Sequence, residues 1–212
     1  MSRDPARAAN QFFGGRVCLD FANSLDWRTS GDPQELIPDY GALLDWSGRR
    51  ATLPAPAIAA LRTLAVARHA EARTALQEAH ALRAEIWRAA DSLRTGQEPD
   101  LAPFNRALAT LPSQPALVPL GPCFAHDLTG RDVCEPLWPI LWSLTAIMTS
   151  DDAHRLGCCQ AEGCGWFFVD ESPNHSRLWC SSEVCGNRER ARRAYAKRRH
   201  AINRAAPPAV PR

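Results

Sequence analysis

The feature that most constrains this chain is a cluster of cysteines in its last third. Five of the eight cysteines fall within residues 158–185. Four of them form two pairs of equal spacing, with four residues inside each pair and fifteen between the pairs. These four are Cys159, Cys164, Cys180 and Cys185. Two such paired loops bring four thiolates to the corners of a tetrahedron, which is the geometry that Zn²⁺ prefers.

We therefore predict one structural zinc ion held by these four thiolates. A catalytic zinc is not expected, because four protein ligands leave no open position for water or substrate. Four buried, metal-free cysteines are the alternative. Cys158 is adjacent to Cys159 and makes the count odd; equal spacing favours Cys159, although neighbouring thiols can exchange. His175 is a further candidate ligand, but a solvated loop histidine is the favoured interpretation.

The segment between the two cysteine pairs predicts a β-hairpin. Residues 165–170 have the composition of a strand, a polar turn follows, and residues 177–181 return as a second strand. A module so poor in aliphatic residues needs a metal to complete its core. The aromatic residues of that small core are Trp166, Phe167, Phe168 and Trp179.

A basic helix is predicted directly after the last cysteine, with Asn187 as its N-cap. Its apolar side chains, expected to pack on the metal module, are Ala191, Ala194, Tyr195 and Ile202. Residues 157–212 carry ten basic and five acidic side chains, whereas residues 1–156 carry fifteen and eighteen. Such asymmetry indicates a polyanion partner for the basic part, although a solvated helix face is the alternative. The candidate nucleic-acid contacts are Arg188, Arg190, Arg192, Arg193, Lys197, Arg198 and Arg199.

The remainder of the chain predicts a mainly α protein with minor β structure. We expect a helical domain over residues 1–152, the zinc module with its helix over 153–204, and a disordered tail over 205–212. The predicted elements of the first domain are a strand at 16–21, helices at 38–50, 100–111 and 136–149, two helices within 57–95, and a hairpin at 116–128.

A group of polar residues follows the predicted first strand and is a candidate small-molecule pocket. Its members are Asp20, Asn23, Asp26 and Arg28. Turn and cap chemistry is the favoured alternative, because Asn and Asp are common there. The sequence contains no phosphate-binding glycine loop, catalytic dyad or nucleophile elbow, so we expect no enzymatic activity. The three isolated cysteines, expected to be buried and unreactive, are Cys18, Cys123 and Cys134.

No secretory signal or membrane-length apolar run is present, so a cytoplasmic protein without a membrane partner is expected.

The segment ending in WCSSEVCGNRERARR resembles the CGNR zinc finger, and residues 185–188 spell that motif. Upstream, GGRVCLDFANSLDW is similar to the start of the domain that accompanies this finger, called ABATE or stress-induced transcription regulator. The resemblance covers roughly residues 10–204. It implies a bacterial transcription regulator with zinc on the four cysteines.

These observations favour a DNA-binding regulator. Two other classes remain open: a zinc module that binds another protein, and a small-molecule sensor domain for which the finger is an accessory. Salt dependence of nucleic-acid binding separates the first class from the others. The sequence does not indicate the target site, the effector, the oligomeric state or a preference for DNA over RNA.

Overall fold

The structure, a computed structural model, describes residues 12–112, 116–120 and 122–205. Most of these residues are helical, and the strands form three separate antiparallel pairs. The helices are α1 (Val17–Ala22), α2 (Tyr40–Arg49), α3 (Ala55–Ala67), α4 (His69–Arg94), α5 (Ala102–Leu108), α6 (Trp138–Met148) and α7 (Asn187–Ala205). The strand pairs are β1–β2 (Leu25–Asp26, Gln34–Glu35), β3–β4 (Leu117–Leu120, Cys123–His126) and β5–β6 (Leu156–Cys158, Phe167–Val169). The mainly α fold class is confirmed.

The main core surrounds the short helix α1. Every residue of α1 from Cys18 to Ala22 is buried, and α1 packs against α4, α6 and β6. The predicted strand at residues 16–21 is therefore wrong. A short apolar segment that is buried on all sides has no periodicity, so its sequence does not distinguish a strand from a helix.

The other predicted elements of the first region are present within a few residues of their expected ends. The long apolar segment is two helices, since the backbone of Arg68 leaves the helical region between α3 and α4. The predicted hairpin at residues 116–128 is the pair β3–β4. None of the described helices is long and apolar enough to cross a membrane. The predicted tail lies outside the described residues from position 206 onward.

The zinc-finger region contains a hairpin, but its strands are not the two that were predicted. Strand β6 matches the first expected strand, whereas residues 177–181 form no strand. The partner of β6 is β5, which precedes the first cysteine pair, with Gly157 opposite Phe168. The prediction failed because it placed the hairpin between the cysteine pairs. The turn of the observed hairpin instead carries Cys159 and Cys164.

Strand β6 joins two hydrophobic cores. Side chains alternate between the two faces of a strand. Phe167 and Val169 belong to the main core, whereas Phe168 and the preceding Trp166 belong to a second core around the cysteines. Both phenylalanines are fully buried. The helical region and the zinc finger are therefore packed together through one shared strand.

Candidate metal centre and nucleic-acid interface

The four predicted ligands lie together in the structure. The sulfur atoms of Cys159, Cys164, Cys180 and Cys185 are all within 4.8 Å of one another, and all four residues are buried. The sulfur of Cys180 is 3.5 Å from that of Cys185 and 3.8 Å from that of Cys164. A tetrahedral zinc site with Zn–S bonds of about 2.3 Å has sulfur–sulfur separations of about 3.8 Å. The arrangement therefore fits one zinc ion.

Local backbone hydrogen bonds hold both cysteine pairs in place. The N–H of Cys159 donates to the carbonyl of Trp166, which closes the β5–β6 turn, and the N–H of Cys164 donates to Ala161. In the second pair, the side chain of Ser181 accepts from the N–H of Val184 and begins a wide, π-helical turn over Ser182–Gly186. This turn carries Cys185 and continues directly into α7.

Cys158 and His175 stand apart from the four-cysteine group. Cys158 lies in β5 and packs against the main core, on the opposite side from its neighbour Cys159. Burial raises the pKa of its thiol, which disfavours the thiolate form that binds metal. His175 is exposed in the turn before Arg177. Among the described residues, neither belongs to a group that is close enough to hold a metal ion.

The three isolated cysteines differ from one another in exposure. Cys18 is fully buried in α1, and burial raises the pKa of its thiol to about 12. Cys134 is half-buried, and burial with the nearby carboxylates of Asp132 and Glu78 raises its pKa to about 12. Cys123 is exposed on strand β4, so the expectation that it is buried is wrong. Apolar sequence neighbours did not predict burial there because most of the described hairpin residues are exposed to solvent.

Arg177 has a structural role that sequence reasoning missed. Its guanidinium donates to the carbonyl oxygens of Val169, Trp179 and Cys180, and also to Phe13 at 2.9 Å. The same group lies 4.2 Å from the centroid of the Phe168 ring. One side chain thus connects β6, the second cysteine pair and the N-terminal segment. The five donors of arginine in a fixed plane make this possible.

Asn23, a member of the predicted polar pocket, instead contacts strand β6. Its amide nitrogen donates to the carbonyl of Phe167 at 2.9 Å, and its amide oxygen accepts from the Phe167 N–H at 2.8 Å. Both bonds are buried. Asn23 therefore bonds to the edge of β6 that does not pair with β5, as a neighbouring strand would.

Arg28, another member of the predicted pocket, also donates to a backbone carbonyl of the zinc finger. Its guanidinium donates to the carbonyl of Gly165 at 2.9 Å and lies 4.6 Å from the centroid of the Phe167 ring. Asp20 accepts from the N–H of Gly14 and pairs with Arg50 at 2.7 Å. Burial raises the pKa of the Asp20 carboxyl, although both partners favour its charged form. The ligand pocket stays a prediction, while these contacts explain three of its residues by packing.

The turn after β1 contacts both the first cysteine loop and the start of α7. Asp26 accepts from the N–H of Trp27, whose φ of +54° is uncommon for a residue with a side chain. A Cβ on Gly163 would lie 2.9 Å from the Trp27 ring, so only glycine allows this approach. The guanidinium of Arg188 also contacts Trp27 and lies 4.4 Å from the centroid of its ring. The contact between Arg188 and Trp27 therefore attaches the start of α7 to the helical N-terminal region.

The first turn and a half of α7 is bonded to the rest of the protein. Arg188 contacts Trp27, Arg190 donates to the carbonyl of Ser182 at 3.1 Å, and Arg192 pairs with Glu162 and Glu189. Asn187 is inside the helix and not its N-cap; Ser181 caps the preceding turn instead. The predicted cap is wrong because the helical path begins five residues earlier, at the wide turn.

Beyond its start, α7 is exposed on every side as far as Arg199, the last of its residues whose side chain the structure describes. All residues from Arg190 to Arg199 are exposed, and 70% of the Tyr195 surface is open to solvent. The expectation that Ala191, Ala194 and Tyr195 pack on the metal module is therefore wrong; the side chain of Ile202 lies outside the described residues. Four candidate contacts make no hydrogen bond or ion pair with the described part of the chain. They are Arg193, Lys197, Arg198 and Arg199.

Two family models match this sequence, and together they span both packed regions. The model for ABATE, described as "Putative stress-induced transcription regulator", matches residues 15–151. The chain belongs to the ABATE family. The model for the CGNR zinc finger matches residues 155–198, which contain all four clustered cysteines. No curated protein shows a significant match to the chain.

The ABATE segment and the CGNR zinc finger adjoin in sequence and are packed together in the structure. Asn23, Trp27 and Arg28, which make the contacts across this boundary, all belong to the ABATE match. The sulfur geometry and the family match agree on the cofactor, which is one structural zinc ion. Its role is to complete a core whose buried residues are mostly its own ligands.

Proposed function

We propose that this ABATE protein is a non-enzymatic transcription regulator that binds DNA through helix α7. The observation that carries the proposal is the group of four cations on α7 that have no partner in the described part of the chain. The match to a stress-induced transcription regulator family supports a partner of this class. We place the activity in the bacterial cytoplasm, where such a regulator meets its DNA.

The charges of α7 divide into two groups with different environments. Arg188, Arg190 and Arg192 are near the metal centre and have protein partners. The four cations further along the helix lie close together and repel one another, and a polyanion removes that repulsion. DNA phosphates therefore have available partners on the outer part of α7 and few on its beginning.

The attachment of α7 to the metal centre favours binding. The helix has 19 residues and is about 28 Å long. Its start is fixed by the turn that holds Cys185, so little conformational freedom is lost when its outer part contacts a ligand. An exposed helix of this size fits the major groove of B-DNA, which is about 12 Å wide.

The test is the salt dependence of duplex DNA binding by the full-length, zinc-loaded protein. Four available cations predict a slope of roughly −4 for the logarithm of the binding constant against the logarithm of salt concentration. Replacing Arg193, Lys197 and Arg199 together by alanine should flatten the slope, because at most one available cation then remains. Zinc content should stay the same, since none of the three contacts the metal centre.

A matched control removes charges from the beginning of the same helix. Arg188→Ala combined with Arg190→Ala should leave the slope near its parental value, because both arginines have protein partners. Equal losses of slope per charge in both variants would mean that net charge alone explains binding. Absence of any salt-dependent DNA binding would favour the protein-interaction alternative.

A further inference from the structure

One face of α7 is exposed and lies on the side of the helix opposite the buried Glu189. Residues spaced by three, four and seven positions share a face of a helix. This base-contacting face consists of Ala191, Ala194, Tyr195 and Arg198. All four residues are exposed. Glu189, the one buried residue among the described side chains of α7, lies on the opposite face and accepts from the N–H of Glu162.

The base-contacting face is bordered by cations on both sides. Helical spacing places Arg199 along one border and Lys197 along the other, whereas Arg193, four residues after Glu189, lies on the opposite side of the helix. Of the four cations without partners in the described chain, two therefore border the face, and Arg198 lies on the face itself. Positive charge on both borders fits a ligand that has negative charge on two sides and an uncharged surface between them.

A DNA major groove has this distribution of charge. Phosphates line its two borders, and base edges with thymine methyl groups form its floor. Alanine side chains at positions 191 and 194 permit close approach of the helix backbone to that floor. An exposed arginine can bond a guanine edge through two parallel hydrogen bonds from one rigid plane, a geometry that the single ammonium of lysine matches less well. An exposed tyrosine offers an aromatic ring and a hydroxyl to the same surface.

On the basis of the proposed function, we propose that Arg198 and Tyr195 determine which DNA sequence the protein binds. Arg198 bonds a guanine edge, and Tyr195 packs on the neighbouring base pair while the two alanines face the groove floor. Lys197 and Arg199, on the two borders, contact phosphates and contribute affinity for any sequence. Different residues of α7 would thus determine sequence specificity and general affinity for DNA.

The experiment selects preferred sites from a library of randomised duplexes with the full-length, zinc-loaded protein. Arg198→Lys keeps the charge and the salt slope, and it should reduce discrimination at one guanine position by about 10- to 100-fold. Tyr195→Ala should lower discrimination at an adjacent position without changing the slope. Lys197→Ala is the matched control and should weaken all sequences alike, with the preferred site retained.

The possible outcomes distinguish this inference from the proposed function. Steep, salt-dependent binding with no preferred site, or a preferred site unchanged in both Arg198→Lys and Tyr195→Ala, overturns the inference and leaves DNA binding intact. Loss of preference in Lys197→Ala equal to that in Arg198→Lys also overturns it. A parent protein with no DNA binding overturns both. Unchanged zinc content and helical circular dichroism confirm that each variant is folded.

Discussion

The two hydrophobic cores of this protein are held together by different means. The main core contains long aliphatic and aromatic side chains from helices α1 to α6. The second core has seven buried residues among those described, and four of them are cysteines. A core of the first kind is stabilised by burial of apolar surface, whereas one of the second kind depends on metal–sulfur bonds. Strand β6 belongs to both, so neither is independent of the other.

The metal should therefore stabilise the main core as well as the zinc finger. Phe167 and Val169 enter the main core from the same strand whose other face covers the zinc ligands. Loss of metal should therefore expose apolar surface in both regions.

Replacement of a metal ligand should have the largest effect. Cys180→Ser should abolish zinc binding and unfold residues 157–190, because structural zinc contributes about 10 kcal/mol or more to folding. A chelator acting on the parent protein should do the same. Metal analysis of the purified protein together with thermal unfolding measures both effects. The main core should also lose stability, since β6 is shared.

Cys158→Ser is the control for that experiment. It should keep one equivalent of zinc, because Cys158 faces the main core. Release of zinc by Cys158→Ser but not by Cys159→Ser would move the ligand assignment by one residue. A metal-free protein whose finger remains folded would contradict the stabilising role of zinc.

The two phenylalanines of β6 offer a matched pair on opposite faces. Phe167→Ala should lower the free energy of unfolding by about 3–5 kcal/mol and leave zinc affinity nearly unchanged. Phe168→Ala should instead make zinc easier to remove by a chelator. Both residues are fully buried and of the same type, so size and burial do not explain a difference. Equal effects of the two changes on both measurements would show that the cores are one unit.

Removal of the Asn23 side chain should have a smaller effect. Asn23→Ala leaves the N–H and the carbonyl of Phe167 buried without a partner, which costs about 2–4 kcal/mol. Urea unfolding monitored by circular dichroism measures this loss, and zinc content should be unchanged. Asn23→Asp keeps the acceptor but places a buried carboxylate against the Phe167 carbonyl oxygen, so it should destabilise the protein at least as much as Asn23→Ala. A stable Asn23→Ala protein would mean that β6 is held mainly by its side chains.

The metal centre was largely predictable from sequence, because thiolate spacing directly limits geometry. The paired cysteines at equal spacing predicted a group that the structure does bring together. The long helices were predictable for a similar reason, since a repeat of 3.6 residues persists over many turns in α3 and α4.

The contacts between the two regions were not predictable in the same way. Asn23 and Arg177 bond to backbone groups that are distant in sequence, and no local pattern indicates such a partner. The exposed side of α7 was also missed. Alanine and tyrosine at helical spacing normally indicate packing, but here the basic residues on both sides make the same face suitable for a charged ligand.

The shared strand has a consequence for how such proteins are cut and recombined. The two family matches meet between residues 151 and 155, which suggests a place to separate two parts. A fragment ending there would lack Phe167 and Val169 and leave a gap in its own interior. The complementary fragment would expose those two side chains to water and tend to aggregate. Gene fusions that transfer this zinc finger to another protein should therefore transfer the preceding helical region with it.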